Sequence, residues 1–370
     1  MTLSSAWRRT ARRIAICAVV LSGEFGVLEA GLRVYGGSEA SPAFQSLFMQ
    51  DPQVGHRPRP NAHARYTTPE FSTDLAINAQ GVRDDAPIGP KAPDERRILV
   101  LGDSLVLSVQ VPLVETFGKR LEARLQATGD GRRWRVINGG VQGYGPVQDW
   151  LFFDHVAAAF EPDIVLVVVF VGNDAVEAYD SEDWLEAGRA VRDESQTVGS
   201  VRRVLRGSVV WQLARRRWDQ LQARLSTPAP ERPLASYLIN PPPEIAKGLE
   251  ISRRSFERIS ERARGVGAGT ALVLMPARFQ TDDADYGRFV EIVRQAGGEI
   301  ERNAATDRFR QAVEPLNLPT LDLLPVLERQ PDRSGLFFQR NIHLTPRGHD
   351  VVGGALFDFL QSSGLVAATR

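Results

Sequence analysis

"DIVLVVVFVGND", Asp163 to Asp174, contains the most apolar run of the globular part of the chain, from Ile164 to Val171. A short run without polar alternation suits a central parallel strand covered on both faces. It stops abruptly on Gly172-Asn173-Asp174. Working outward, "RILVLGDSL" (97–105) repeats the pattern, with Ile98 to Leu101 followed by Gly102-Asp103-Ser104. "WRVING" (134–139), "TALVLMP" (270–276) and "PTLDLL" (319–324) supply three more short apolar runs. Between them, "PLVETFGKRLEARLQATG" (112–129) carries Phe117, Leu121 and Leu125 at helical spacing, and "PVQDWLFFDHVAAAF" (146–160) also reads as helical. Strands separated by helices predict an α/β fold with a mainly parallel five-stranded sheet and right-handed crossovers.

Composition narrows the function. Lys+Arg and Asp+Glu are 45 each, so no global basic excess points to nucleic acid. Cys17 is the single cysteine, which excludes a disulfide framework and a cysteine metal cluster. No H-x-x-x-H spacing suggests a metal site, and "GGVQGYG" (139–145) does not match the dinucleotide pattern G-x-G-x-x-G. Neither metal nor cofactor is expected.

The 370 residues divide into three stretches. Residues 1–35 read as a membrane anchor or signal segment. Arg8, Arg9, Arg12 and Arg13 precede an apolar stretch from Ile14 to Val34, interrupted by Glu24 and Glu29. Charge placed this way predicts the N-terminus inside and the body outside a cytoplasmic membrane, on the periplasmic or extracellular side. An ordinary amphipathic helix is the alternative. Residues 36–95 form a lead-in. "DPQVGHRPRPNAHARY" (51–66) reads as an extended linker, and "FSTDLAINAQGVRDD" (71–85) as a strand or hairpin through Phe71, Leu75 and Ile77. Residues 96–370 form the main domain, with a helical insertion at about 180–244. There "VRRVLRGSVVWQLARRRWDQLQARL" (201–225) is expected to pack on the sheet edge. A lid, or a basic surface meeting lipid headgroups or an acidic polymer, is the alternative.

In open parallel sheets, sites form at the carboxyl ends of strands. Three predicted strands end in polar motifs: Gly102-Asp103-Ser104, "NGGVQGYG" (138–145) and Gly172-Asn173-Asp174. "NIHLTPRGH" (341–349) precedes the last helix. Singly, these are a turn, a permissive glycine loop, a helix cap and a surface histidine. Together they hold every part of an acyl-transfer site: a nucleophile, a base, and amide donors for an oxyanion.

"RILVLGDSL", "VINGGVQGYGPVQ", "VVFVGNDAVE" and "IHLTPRGHDVVGGAL" occur in the order of the four signature blocks of the SGNH (GDSL-type) hydrolases, which the chain resembles from Arg97 to about Leu360. "LAINAQGVRDD" (75–85) is similar to the segment preceding the serine block in membrane-anchored bacterial members. The resemblance implies a flavodoxin-like three-layer α/β/α sandwich. It makes Ser104 the nucleophile and His343 the base. Ser104 N–H, Gly143 N–H and the Asn173 side chain become the oxyanion donors, with Gly140 the lesser choice in its block. His349 is expected in the packing of the last helix. His56, His63 and His155 receive no role. Where the family usually has Asp before the catalytic His, this chain has Asn341 and Arg340. Asn cannot supply a negative charge, although its carbonyl can orient the ring. Asp332 is the acid nearest in sequence. Ser108 stands where relatives often have glycine. The resemblance implies a serine esterase, with O-acetyl or other short acyl esters of carbohydrate, such as an acetylated polysaccharide, as substrate. A weak or inactive carbohydrate-binding or polysaccharide-assembly component, or an O-acetyltransferase, is the alternative.

Overall fold

Alternate residues of the strand Ile164–Phe170 enter two separate cores. Val165, Val167 and Val169 join one, and Ile164, Leu166 and Val168 join the other. A strand with period-two side chains buried on both faces must lie in the middle of a three-layer sandwich. The computed structural model describes residues 42–191 and 232–368. The chain divides into two compact units. The first spans 1–45 and 193–227, and only the helical turn Pro42–Gln45 of it is described. The second comprises Ser46–Arg192 and Pro228–Arg370 and contains all that follows.

Its sheet has five parallel strands: β5 (Glu95–Gly102), β6 (Arg133–Gly140), β7 (Ile164–Phe170), β8 (Gly269–Met275) and β9 (Thr320–Asp322). Their order is β6-β5-β7-β8-β9, all parallel. This is the doubly wound flavodoxin-like order, and its direction reverses between β5 and β7. On one face pack α3 (Pro146–His155), α5 (Pro243–Gly265) and α7 (Ala304–Val313), through Leu151, Phe256 and Phe309. On the other pack α2 (Phe117–Ala127) and α8 (Pro346–Ser362), through Leu121 and Leu356. The further helices include α1 (Ser104–Leu107), α4 (Asp174–Asp180) and α6 (Asp283–Gln295).

The lead-in is more ordered than its Pro- and Gly-rich composition suggests. β1 (Phe48–Asp51) pairs with β2 (Gly55–Pro58), and β3 (His63–Thr67) pairs with β4 (Ser72–Ala76), both antiparallel. Prolines 58 and 60 border these strands and leave their ladders intact. The expected anchor, residues 1–35, and the arginine-rich stretch 201–225 lie outside the described residues. Among the described residues no helix is long and apolar enough to cross a membrane.

Candidate active site

Strand β5 ends at Gly102, and Asp103 caps the helix that follows, its Oδ1 accepting the Leu105 N–H at 2.8 Å. Ser104 is therefore the first residue of α1, where a backbone N–H has no intrahelical acceptor. The turn is closed by Ser108, in the left-handed conformation at φ 54°, whose hydroxyl donates to Leu105 O at 2.6 Å. That conformation favours glycine; here local hydrogen bonds support a serine instead.

His343 approaches from the loop before α8. The loop is fixed by Phe338 N–H to His343 O (3.0 Å) and by the Thr345 hydroxyl to Gly335 O (2.6 Å). His343 Nε2 lies 2.8 Å from Ser104 Oγ. Asn341 Oδ1 accepts the His343 backbone N–H at 3.1 Å and also bonds the ring Nδ1. A backbone N–H can only donate, so the Asn341 atom facing His343 is its oxygen. The ring nitrogen beside that oxygen then carries the hydrogen, and Nε2 presents its lone pair to Ser104. Burial holds the His343 pKa down to about 4, so the imidazole is neutral at neutral pH. Among the described residues no acid bonds its ring: Asp332 pairs with Arg347 and accepts from Ser334 Oγ.

The other two strand ends supply amides. At β6, an ideal Cβ on Gly140 would sit 2.3 Å from Leu107 N, so only glycine lets α1 lie against the strand end. The Gly140 N–H is bound to Asn138 Oδ1 at 3.0 Å, which removes it as an oxyanion donor. Gly143, at φ +71°, has open space where a side chain would be, and its N–H has no acceptor among the described residues. At β7, Asn173 precedes α4 and its Nδ2 donates to Glu177 Oε1 at 2.8 Å. Asp174 turns back to accept Phe170 N–H at 2.9 Å.

Beneath these groups lies a cluster of acids that the sequence did not single out. Asp103, Asp149 and Asp174 are buried and Glu177 half-buried. Burial is the first cause that raises each carboxyl pKa, and repulsion from neighbouring acids adds to it at Asp149, Asp174 and Glu177. Asp103 is pushed up to about 7 and Glu177 to about 8, while Asp149 and Asp174 are raised well above the usual range. Among the described residues no group of His, Cys, Asp or Glu is arranged to hold a metal ion.

A sequence model of the GDSL-like lipase/acylhydrolase family matches residues 100–351. The chain belongs to that family. No curated protein gives a significant match. Among solved structures, that of TesA is 14% identical, with 72% of this chain and 99% of that chain covered and a TM-score of 0.41. The lipase/acylhydrolase from Enterococcus faecalis is 13% identical, covering 72% and 96%, with a TM-score of 0.41. Axe2, an acetylxylan esterase from Geobacillus stearothermophilus, is 11% identical, covering 72% and 94%, with a TM-score of 0.39.

Within this GDSL-family chain the lead-in braces three of the motif loops. Buried Arg83 donates to Leu107 O (2.9 Å), Ser108 O and Val111 O (2.6 Å), gripping the end of α1. His56 Nε2 donates to Gln142 O at 2.8 Å and Tyr144 OH donates to His56 O at 2.5 Å, tying β2 to the Gly143 loop. Glu70 accepts the N–H groups of Gln339 and Arg340, next to Asn341. His349 is a packing residue: it stacks on Phe117, and its Nδ1 accepts the Phe117 N–H at 3.2 Å. His155 bonds Gly188 O and His63 is exposed. A charged arginine inside "QGVRDD" and a glutamate one helical turn after Asn173 were the available signals for Arg83 and Glu177.

Proposed function

We propose that the chain is a serine ester hydrolase working through an acyl-enzyme on O-acetyl or other short acyl esters of carbohydrate. The observation that carries this reading is the relay Ser104 Oγ to His343 Nε2, 2.8 Å, with Asn341 Oδ1 on the far ring nitrogen. Ser104 attacks the ester carbonyl as His343 takes its proton. Ser104 N–H, Gly143 N–H and the free hydrogen of Asn173 Nδ2 receive the oxyanion. His343 then returns the proton to the leaving alcohol, and water repeats the sequence to release the acid. Asn341 fixes the tautomer and gives only a dipole to the imidazolium, so the site is a dyad with an amide orienter.

The carbohydrate ester is taken from the four-block resemblance, whereas a periplasmic or extracellular body tethered through residues 1–35 is taken from the N-terminal charge pattern and from the likeness of residues 75–85 to membrane-anchored members. The basic residues Arg8 to Arg13 ahead of Ile14 support that tether. An inactive binding component fits less well, because a retired site has no need to keep His343 bonded to both Ser104 and Asn341. The test is turnover of short-chain nitrophenyl esters and acetylated sugars by the full chain, with and without a free sugar acceptor. Hydrolysis lost in Ser104→Ala is the expected result. Acetyl appearing on the acceptor instead of in water assigns a transferase. Undiminished turnover by Ser104→Ala removes Ser104 from the reaction.

A further inference from the structure

Glu177 occupies an unusual place. Its Oε1 accepts one hydrogen of Asn173 Nδ2 at 2.8 Å, and the other hydrogen of that amide is the one an oxyanion needs. Its Oε2 is buried without a partner. The glutamate packs against Gly145, where an ideal Cβ would lie 2.7 Å from Glu177 Cβ, so it sits on the face of α4 that meets the end of the Gly143 loop. Its electrostatic surroundings are acidic on every side. Asp174 and Asp180 share its helix, Asp103 faces it from the end of β5, and Asp149 lies on α3. Helix α5 packs on α4 at Gly248, and its Lys247 is held by Glu182. No cation neutralises Asp103, Asp149, Asp174 or Glu177 among the described residues.

We propose that Glu177 is a positioning residue of the oxyanion hole that works in its protonated form, aiming the Asn173 amide while keeping negative charge away from the developing oxyanion. The proposal rests on the esterase reading above. A neutral carboxyl accepts through its carbonyl oxygen and leaves the second amide hydrogen free. An ionised one places a full negative charge one amide away from the oxyanion, in surroundings that screen it poorly. The carboxyl is raised to about 8 by burial first, then by the charge of Asp103. Activity should therefore be highest below that value and fall as pH rises through it.

The test is the pH dependence of kcat and KM for a short-acyl ester in the wild type, Glu177→Ala and Glu177→Gln. Losing the aim of one oxyanion donor should lower kcat of Glu177→Ala about tenfold to a hundredfold at pH 6, by comparison with deleting such a donor outright, with KM changed less than about threefold. Glu177→Gln keeps an accepting oxygen and cannot ionise. It should recover most of that loss and lack the alkaline fall. An unchanged alkaline fall in Glu177→Gln, or wild-type kcat in Glu177→Ala, overturns the proposal. In Ser104→Ala protein, the Asn173 side-chain ¹⁵N resonance should titrate with an alkaline midpoint, and Glu177→Gln should abolish the titration. This readout needs no turnover. A chain without Ser104-dependent hydrolysis thus sinks the esterase reading, while a flat Asn173 resonance sinks the role of Glu177.

Discussion

Glu70 and Arg340 are 270 residues apart, yet the Glu70 carboxylate accepts the Arg340 backbone N–H at 3.0 Å. The same carboxylate takes the Gln339 N–H at 2.9 Å, while Arg278 donates to Phe338 O (2.9 Å) and Gln339 O (2.6 Å). The backbone before Asn341 is thus held on its donors by the β3–β4 hairpin and on its acceptors by the segment after β8. Releasing one side lets Asn341 and His343 drift, and small misplacements cost far more rate than stability. Glu70→Ala should reduce kcat about tenfold. The thermal transition should shift by the equivalent of about 1 kcal/mol or less, because the lost bonds are exposed. Steady-state kinetics and a melting curve on one preparation check both.

Arg83 is expected to behave differently, because it is buried. Its guanidinium fastens three carbonyl oxygens at the end of α1. Arg83→Met keeps much of the volume and strands those acceptors, at a cost of about 3 kcal/mol or more. Denaturant unfolding should show this loss, and Arg83→Lys should recover only part of it, since one ammonium cannot reproduce the fork. Wild-type stability in Arg83→Met would show that the lead-in merely rests on α1.

The sheet was legible because its strands are short apolar runs with polar ends, and burial on both faces leaves few other ways to satisfy such runs. Ser104, Asn173 and His343 were legible for the same reason: polar groups at strand tips and before the last helix contrast sharply with the runs around them. The lead-in was legible only in part: β4 falls within the strand or hairpin expected over 71–85, but its partner β3 lies in the stretch read as an extended linker. His63 to Thr67 mixes exposed and buried residues, and its pairing with Ser72–Ala76 rests on backbone bonds that no side-chain pattern records. Nor was the acid cluster legible. Asp149 is an ordinary-looking residue in the first turn of a helix until the fold buries it.

That burial has a consequence for stability. The folded chain raises the Asp149 pKa well above 3.8, by burial first, then by Asp103 and Glu177. A group raised on folding contributes stability that is full below its unfolded pKa and is lost as pH rises towards its folded value. Asp149→Asn removes this charge while its carbonyl still accepts the Gly102 N–H. The variant should therefore gain more in melting temperature at pH 8 than at pH 4. An equal gain at both values would mean that Asp149 ionises no differently in the folded state.

Asn341→Asp tests the site where this chain departs from its family. In a well-studied triad the reverse change costs about 10⁴ in kcat, because the carboxylate sets the tautomer and stabilises the imidazolium. Here Asn341 Oδ1 already sets the tautomer, through the backbone N–H and Nδ1 of His343. Only the charge is missing, so the gain should be smaller, about tenfold in kcat/KM. Asn341 is only half-buried, so a new carboxylate there keeps partial contact with water. The same charge has a second effect of known sign. Burial alone holds His343 down to about 4, so wild-type activity should persist into acid and fall as pH drops through that value. An anion beside Nδ1 favours the protonated ring, so the acid limb of Asn341→Asp should move towards neutral. Adding Ser104→Ala should erase the activity at every pH. A higher kcat/KM with an unmoved acid limb would place the new charge somewhere other than behind His343. No gain at all, in folded protein, would show that the imidazolium is already stabilised by another group.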